Sequence, residues 1–376
     1  MIRNPPRITR SPVAASPLGR EKRISEQEGV TIRAITSVAT ALKRSRTCGL
    51  LRLIAFFLLV GGASFALHYV LNFGLRRIPT SEFGVSNQIM QGRINAEILI
   101  SGSSRALSHY DSRIIERATG LKTFNIGRNA SQTDIQLALL KTYLKHNTRP
   151  RLVIHNLDSF CFEATHQIFD PGQYLPYLSE PEILNALLKI DPNVWKWKYV
   201  PLYGYTAQDM RLTWVLGIGG AIGVYPREDL FQGFHPDYRR WTGDFDQFKA
   251  HNMDGVWFPI ESEAIRDFEE LLALCRDKRI PVILVYSPVY YEMQALERNR
   301  NKIFAKLRRL SERYHAPIWD YCGLPMCRQR KLFYNSQHLN NEGAAVFSTD
   351  LANRLTEERP WEGKGFARQE RDAVPH

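Results

Sequence analysis

Apolar positions along this chain follow two alternating periods. Short, largely apolar runs at 96–101, 122–126, 151–156, 281–287 and 316–319 have the length of buried strands and are bounded by Gly, Pro, Ser or Asp. Between them, 108–118, 134–145, 261–277, 296–314 and 341–355 carry apolar residues at helical spacing. Gly120 closes the first of these helices, and Ser131 or Thr133 stands where a cap for the second belongs. Strands alternating with helices of this length predict an α/β domain, a three-layer α/β/α sandwich around a parallel five-stranded sheet. It occupies 96–159 and 261–356.

Two stretches break the rhythm. Residues 160–260 are dense in Tyr, Trp and Pro and read as an insertion. Trp195, Trp197, Tyr203, Tyr205, Trp214 and Trp241 suit either a sugar-stacking lid or a subdomain packed on itself. Within the insertion, LGIGGAIG at 216–223 resembles a phosphate loop only on the page, because neither a strand nor a ribose-binding acid frames it. The uncharged stretch 212–225 is too short to cross a membrane and long enough to lie against one. The second break is 53–75, which carries no formal charge. As a helix it would reach roughly 35 Å, against about 30 Å for a bilayer's hydrocarbon core.

Charge sharpens that picture. The formal +12 is concentrated at the amino end, where 1–52 hold 11 Lys/Arg against 3 Asp/Glu. The remainder carries 39 against 35, so a nucleic-acid partner loses its support. Residues 1–52 therefore read as a disordered basic tail, 53–75 as a signal anchor and 76–95 as a linker. Lys43, Arg44, Arg46 and Arg52 precede the anchor, which predicts a single-pass inner-membrane protein with a cytoplasmic amino terminus and an exported domain. Small residues at 64–66 would suit a cleaved signal peptide; the long preceding tail favours the anchor. Residues 357–376 read as a carboxyl-terminal tail. Cys322 and Cys327 are spaced to bridge a loop or to stay free thiols, and no paired Cys or His spacing predicts a metal site.

Chemistry concentrates at two places. The first strand runs into Gly102, Ser103 and Ser104, a turn that would bring two hydroxyls to the carboxyl edge of the sheet. Arg105 and His109 follow it, to meet substrate or to stand in solvent. Near the end, FYNSQHLNNEGA at 333–344 sets His338 just before a helix, with Asn335 three residues upstream.

The Gly102-Ser103-Ser104 block, Gly127 after the second strand and the final Asn335-x-x-His338-Leu-Asn-x-x-Gly-Ala block together resemble the SGNH (GDSL-type) hydrolase superfamily. Within it the chain is similar to the membrane-anchored branch that includes DltD and polysaccharide O-acetyltransferase-like proteins. The resemblance covers about 96–158 and 261–356 and implies a flavodoxin-like sheet. It implies Ser104 as nucleophile, with Ser103 as the alternative, and His338 as its base. The backbone N–H groups of Ser104 and Gly127, with Asn156, would supply the oxyanion hole, Asn156 being displaced by one position from the family's Gly-x-Asn-Asp block. Asp158 would serve there or brace the loop. Where the family has Asp before the histidine, this chain has Asn335; either its carbonyl orients the imidazole, or Asp320 reaches in from another loop, or activity is lost. The resemblance further implies a serine esterase or O-acyltransferase with no cofactor, a cell-surface glycan substrate and a multispanning acyltransferase partner. The other reading is an inactive glycan-binding scaffold.

Overall fold

The computed structural model describes residues 17–206, 210–227 and 230–362. The chain divides into two compact units, Met1–Ser64 and Phe65–His376. What is described of the first is helix α1, Pro17–Leu75, which continues into the second. Its side chains from 29 to 60, residue 45 apart, are exposed, including the run from Leu53 to Val60. Among the described residues one helix, Gly29–Leu75, is long and apolar enough to cross a membrane.

Helix formation thus starts far upstream of the expected anchor. Pro17 is the first helical residue, a position that its fixed φ and missing N–H suit, and no other proline interrupts the helix. The expected tail 1–52 is therefore helical from residue 17 on, and 1–16 lie outside the described residues, as do 363–376 of the carboxyl-terminal tail. The expected linker is also corrected. Ser81–Met90 forms α2, which buries Phe83, Val85 and Ile89, and Asn87 Nδ2 donates to the carbonyls of Leu75 and Ile78 at 3.0 and 2.9 Å.

In the second unit the order continues as β1 (Ile98–Ser101), α3 (Ser104–His109), α4 (Ser112–Thr119), β2 (Thr123–Asn125), α5 (Thr133–His146) and β3 (Leu152–Asn156). The insertion carries α6 (Pro181–Ile190), α7 (Val194–Tyr199), α8 (Arg211–Ala221) and α9 (Asp244–His251). Then come α10 (Ser262–Asp277), β4 (Val282–Tyr286), α11 (Tyr291–Leu296), α12 (Arg300–Tyr314), β5 (Ile318–Asp320) and α13 (Asn341–Glu358). The protein is α/β, with one five-stranded sheet in the order β2-β1-β3-β4-β5 and every pairing parallel. All residues of β1 to β4 are buried, as strands covered on both faces must be. The chain leaves β1 for one side and returns to pair β3 on the other, so strand order reverses beside β1. Open α/β sheets bind ligands outside the carboxyl ends of the strands at such a point.

Local chemistry moved several helix ends. The single helix expected over 108–118 is two, because Tyr110 is extended and Asp111 caps a new start, accepting from Arg113 N–H. The helix expected over 296–314 likewise begins afresh at Arg300. Neither Ser131 nor Thr133 caps α5: their hydroxyls donate to the carbonyls of Arg128 and Cys161. The insertion is not one body packed on itself. Phe162 and Phe245 join the sheet core, with Trp241 against them. Tyr174, Leu187, Trp197 and Tyr205 form a second core with Leu71 and Leu75 at the end of α1. Cys322 and Cys327 are free thiols.

Candidate active site

The turn after β1 allows only glycine at position 102. Its φ is +141°, and a Cβ there would lie 2.8 Å from Asn156 Cβ and 3.0 Å from Ala106 Cβ. Ser103, wholly buried, caps α3 by accepting the N–H of Arg105 at 3.2 Å, the usual task of a serine at a helix start. That leaves Ser104, the first residue of α3, to face a cavity of about 560 Å³. Its Oγ lies 2.8 Å from Nε2 of His338, although 234 residues separate the two in sequence.

The loop before α13 fixes the histidine. Asn335 Oδ1 accepts the backbone N–H groups of Gln337 and His338 at 3.0 and 2.9 Å, and lies 3.0 Å from His338 Nδ1. Two N–H donors aimed at one amide atom require that atom to be the oxygen, so Nδ1 carries the ring proton and Nε2 is left to accept from Ser104. Burial, then the Arg105 charge, lowers the pKa of His338 to about 4, with Asp237 pulling the other way. The imidazole is therefore neutral near pH 7, as a base must be before it takes a proton. Tyr334 stacks on its ring at 5.2 Å, and the Arg239 guanidinium lies 4.1 Å from the Tyr334 ring centre.

Behind this pair is a second histidine. His109, fully buried, meets the His338 ring edge-on at 6.0 Å. Its Nε2 accepts the N–H of Leu339 at 3.0 Å, and its Nδ1 lies 2.9 Å from Ser287 Oγ. Burial, then the Arg105 charge, holds its pKa well below the usual 6.5. Arg105 is also buried, reaching Asp158 Oδ1 at 3.3 Å, the Leu157 carbonyl at 3.2 Å and the Ser287 carbonyl, with Tyr286 under its guanidinium. Burial opposes its charge, but Asp158 raises the Arg105 pKa above its ordinary value. Neither Arg105 nor His109 stands in solvent or lines the cavity; both are buried beneath the site.

The other expected residues are distributed differently. Asp158 braces the loop through Arg105 and Asn156. Asn156 is fully committed: Oδ1 accepts from Tyr110 OH at 2.8 Å, Nδ2 turns to Asp158 and the Leu157 carbonyl, and it does not line the cavity. Gly127 does line the cavity, where a Cβ would lie 2.5 Å from Leu107 N, but its N–H donates to Asn125 Oδ1 at 2.8 Å. The oxyanion donor that remains of those expected is the N–H of Ser104 itself. Asp320 does not reach His338. It pairs with Arg300 at 3.1 Å and accepts from Cys322 N–H, so the fifth strand end serves its own turn. None of the six insertion aromatics expected as a lid lines the cavity.

Sequence reasoning missed Asp237 and Arg239, which line the cavity from the insertion. Burial works against the Asp237 carboxylate, yet Arg239 at 3.0 Å holds its pKa below the usual range. An Asp-x-Arg in an irregular segment has no periodicity to mark it, whereas Tyr334 stands beside Asn335 in the final block. Among the described residues no group of three His, Cys, Asp or Glu is placed to hold a metal. A scan against protein-family models matches none to this chain, and a search of curated proteins returns no match. The site therefore has to be read from its own geometry.

Proposed function

We propose that the chain is a membrane-anchored serine esterase or O-acyltransferase of the SGNH type, with the three-layer α/β/α architecture of that superfamily. The observation that carries the reading is the Ser104–His338–Asn335 relay, 2.8 and 3.0 Å between its members, at the edge of a solvent-connected cavity. A serine hydroxyl attacks poorly until a base takes its proton. Ser104 Oγ would form the bond to the acyl carbon while its proton passes to His338 Nε2. The tetrahedral oxyanion would be met by the Ser104 N–H. Collapse expels the alcohol, which takes the proton from His338 and leaves an acyl-serine. A glycan hydroxyl or water, deprotonated by the same imidazole, then takes the acyl group and restores the serine.

The polar cavity wall at Asn129, Asp237 and Arg239 suits a hydroxyl-rich acceptor. With the basic segment ahead of the apolar helix kept cytoplasmic, the domain works in the periplasm of a bacterium on cell-surface polysaccharide, supplied with acyl groups by a multispanning membrane acyltransferase. No nucleic acid or cofactor is invoked. Asn335 in the place of a carboxylate, and the occupied N–H of Gly127, favour the second reading, an inactive scaffold that binds glycan. A fluorophosphonate probe separates the two: labelling that disappears in Ser104→Ala supports catalysis, and absence of labelling with retained glycan binding supports the scaffold.

A further inference from the structure

Helix α8 has two unlike sides. Its buried side is Thr213, Gly217 and Gly220. Gly217 and Gly220 meet the end of α1 backbone to backbone: a Cβ on Gly74 would lie 1.7 Å from the Gly217 carbonyl oxygen, and one on Gly220 2.2 Å from that of Gly74. The other side presents Leu212, Val215 and Ile218, continued by Ile222 and Val224, with Leu212, Val215 and Ile222 at least 66 % exposed. Beside it, α1 exposes Tyr69, Val70 and Phe73. Both helices thus present apolar side chains outward, with the Arg77 guanidinium over the Phe73 ring at 5.1 Å.

The length of α1 says what covers it. Leu71 and Leu75 are fully buried in protein, His68 Nδ1 accepts the Leu202 N–H at 3.3 Å, and Asn72 Oδ1 accepts from Tyr205 OH at 2.8 Å. From His68 onward one side of the helix therefore belongs to the folded unit. Leu67 already packs against the second core, which leaves the uncharged run from Leu53 to Ala66 to meet lipid. At about 1.5 Å per residue that run reaches only about 21 Å, short of a hydrocarbon core of about 30 Å. Hydrocarbon that starts at Arg52 must rise to about Asn72, the level at which α8 packs. A helix at that depth with one side packed on protein and the other apolar can lay its apolar side into the headgroup–acyl boundary.

We propose that α8 is inserted into the outer leaflet of the phospholipid bilayer, its Leu212–Val215–Ile218–Ile222 side in lipid. Leu212 and Leu216 of the same helix line the cavity of Ser104, so the lipid-facing surface meets the wall of the site at Leu212. The inference rests on α1 as a membrane span and not on catalysis.

The test uses the full chain in phosphatidylethanolamine/phosphatidylglycerol nanodiscs, with Cys48→Ser and a nitroxide attached at Ile218→Cys. Leu58→Cys reports the span and Met253→Cys, 81 % exposed, reports water. Collisions with oxygen and with a nickel chelate should make position 218 resemble 58, with oxygen favoured. If 58 reads lipid and 218 reads like 253, the α8 inference falls and the anchor stands. If 58 itself reads water, the anchor reading falls and takes the inference with it. Shielding of 218 from both reagents would mean a protein partner or second copy and would equally overturn it. A lipophilic diazirine applied to the chain without substitutions gives an independent readout: adducts within 212–224 are expected, and their absence beside adducts in 53–67 overturns the proposal.

Discussion

Two serine–histidine pairs stand back to back in this protein, and they run in opposite directions. In the outer one, Asn335 holds the proton on Nδ1 of His338, so Nε2 accepts from Ser104 at 2.8 Å. In the inner one, the Leu339 N–H occupies Nε2 of His109, so Nδ1 donates to Ser287 at 2.9 Å. The distances are nearly equal and the side chains identical in kind. Only the outer serine can surrender its proton to its histidine, and only the outer pair opens on a cavity. What would make the one serine a nucleophile and not the other is the hydrogen bond on the far side of the imidazole.

The largest expected difference is in turnover. Ser104→Ala should reduce p-nitrophenyl acetate hydrolysis about 10⁴-fold or more, the scale seen when a serine nucleophile is removed, whereas Ser287→Ala should cost less than about tenfold. Equal losses in two well-folded variants would erase the distinction between the pairs. Next is the buried charge beneath both, the Arg105–Asp158 pair. Arg105→Leu leaves Asp158 unpaired in the interior and should destabilise the fold by about 3–5 kcal/mol, read from urea denaturation. A stable, active variant would mean that the floor of the site does not depend on that pair.

A smaller effect tests the direction of the outer pair. The imidazole works as a base only while neutral. With the His338 pKa lowered to about 4, the rate should hold from neutral pH and fall on an acid limb near that value. Asn335→Asp places a carboxylate against Nδ1, which should raise the midpoint of the limb and increase turnover by about tenfold or more. An unchanged profile would place the proton elsewhere.

The smallest expected effect is on the inner pair, where His109 accepts the Leu339 N–H. His109→Leu removes that acceptor and should cost about 1–3 kcal/mol at about pH 8. Because folded His109 titrates well below 6.5, the unfolded chain binds the extra proton as pH falls past that value. Its contribution is therefore complete above the ordinary histidine value and lost progressively below it. The variant should lose less stability between about pH 7 and pH 5 than the wild-type chain in thermal melts.

Much of this was legible beforehand. All five strands lie within their apolar runs or overrun them by one residue, because buried parallel strands need nearly continuous apolar sequence. Ser104 starts α3 after Gly102, and His338 and Asn335 lie in the loop that leads into α13, so sequence marks bracket all three. The glycine after the second strand does line the cavity, but it is not free to donate there. Its reason for being glycine is the close approach of Leu107 N, and Asn125 takes its N–H. Asn156 and Asp320 misled for a related reason. A polar side chain at a strand end is visible in sequence, while the neighbours that consume it, Tyr110 and Arg300, come from distant segments. Asp237 and Arg239 could not be found, since position in an irregular segment depends on tertiary contacts alone.

The packing of the end of α1 into the second core has a consequence for how the protein is made. Leu71 and Leu75 belong to the same apolar core as Leu187, Trp197 and Tyr205, and Asn87 Nδ2 donates to the carbonyl of Leu75, the last residue of the helix. If α1 spans a membrane as proposed, that core cannot close while the helix is still held in a translocation channel. Lateral release into lipid would then come before the insertion finishes folding, which would make membrane integration a step in the maturation of the domain. A chain lacking residues 65–75 would keep its strands and leave one of its two cores unfinished.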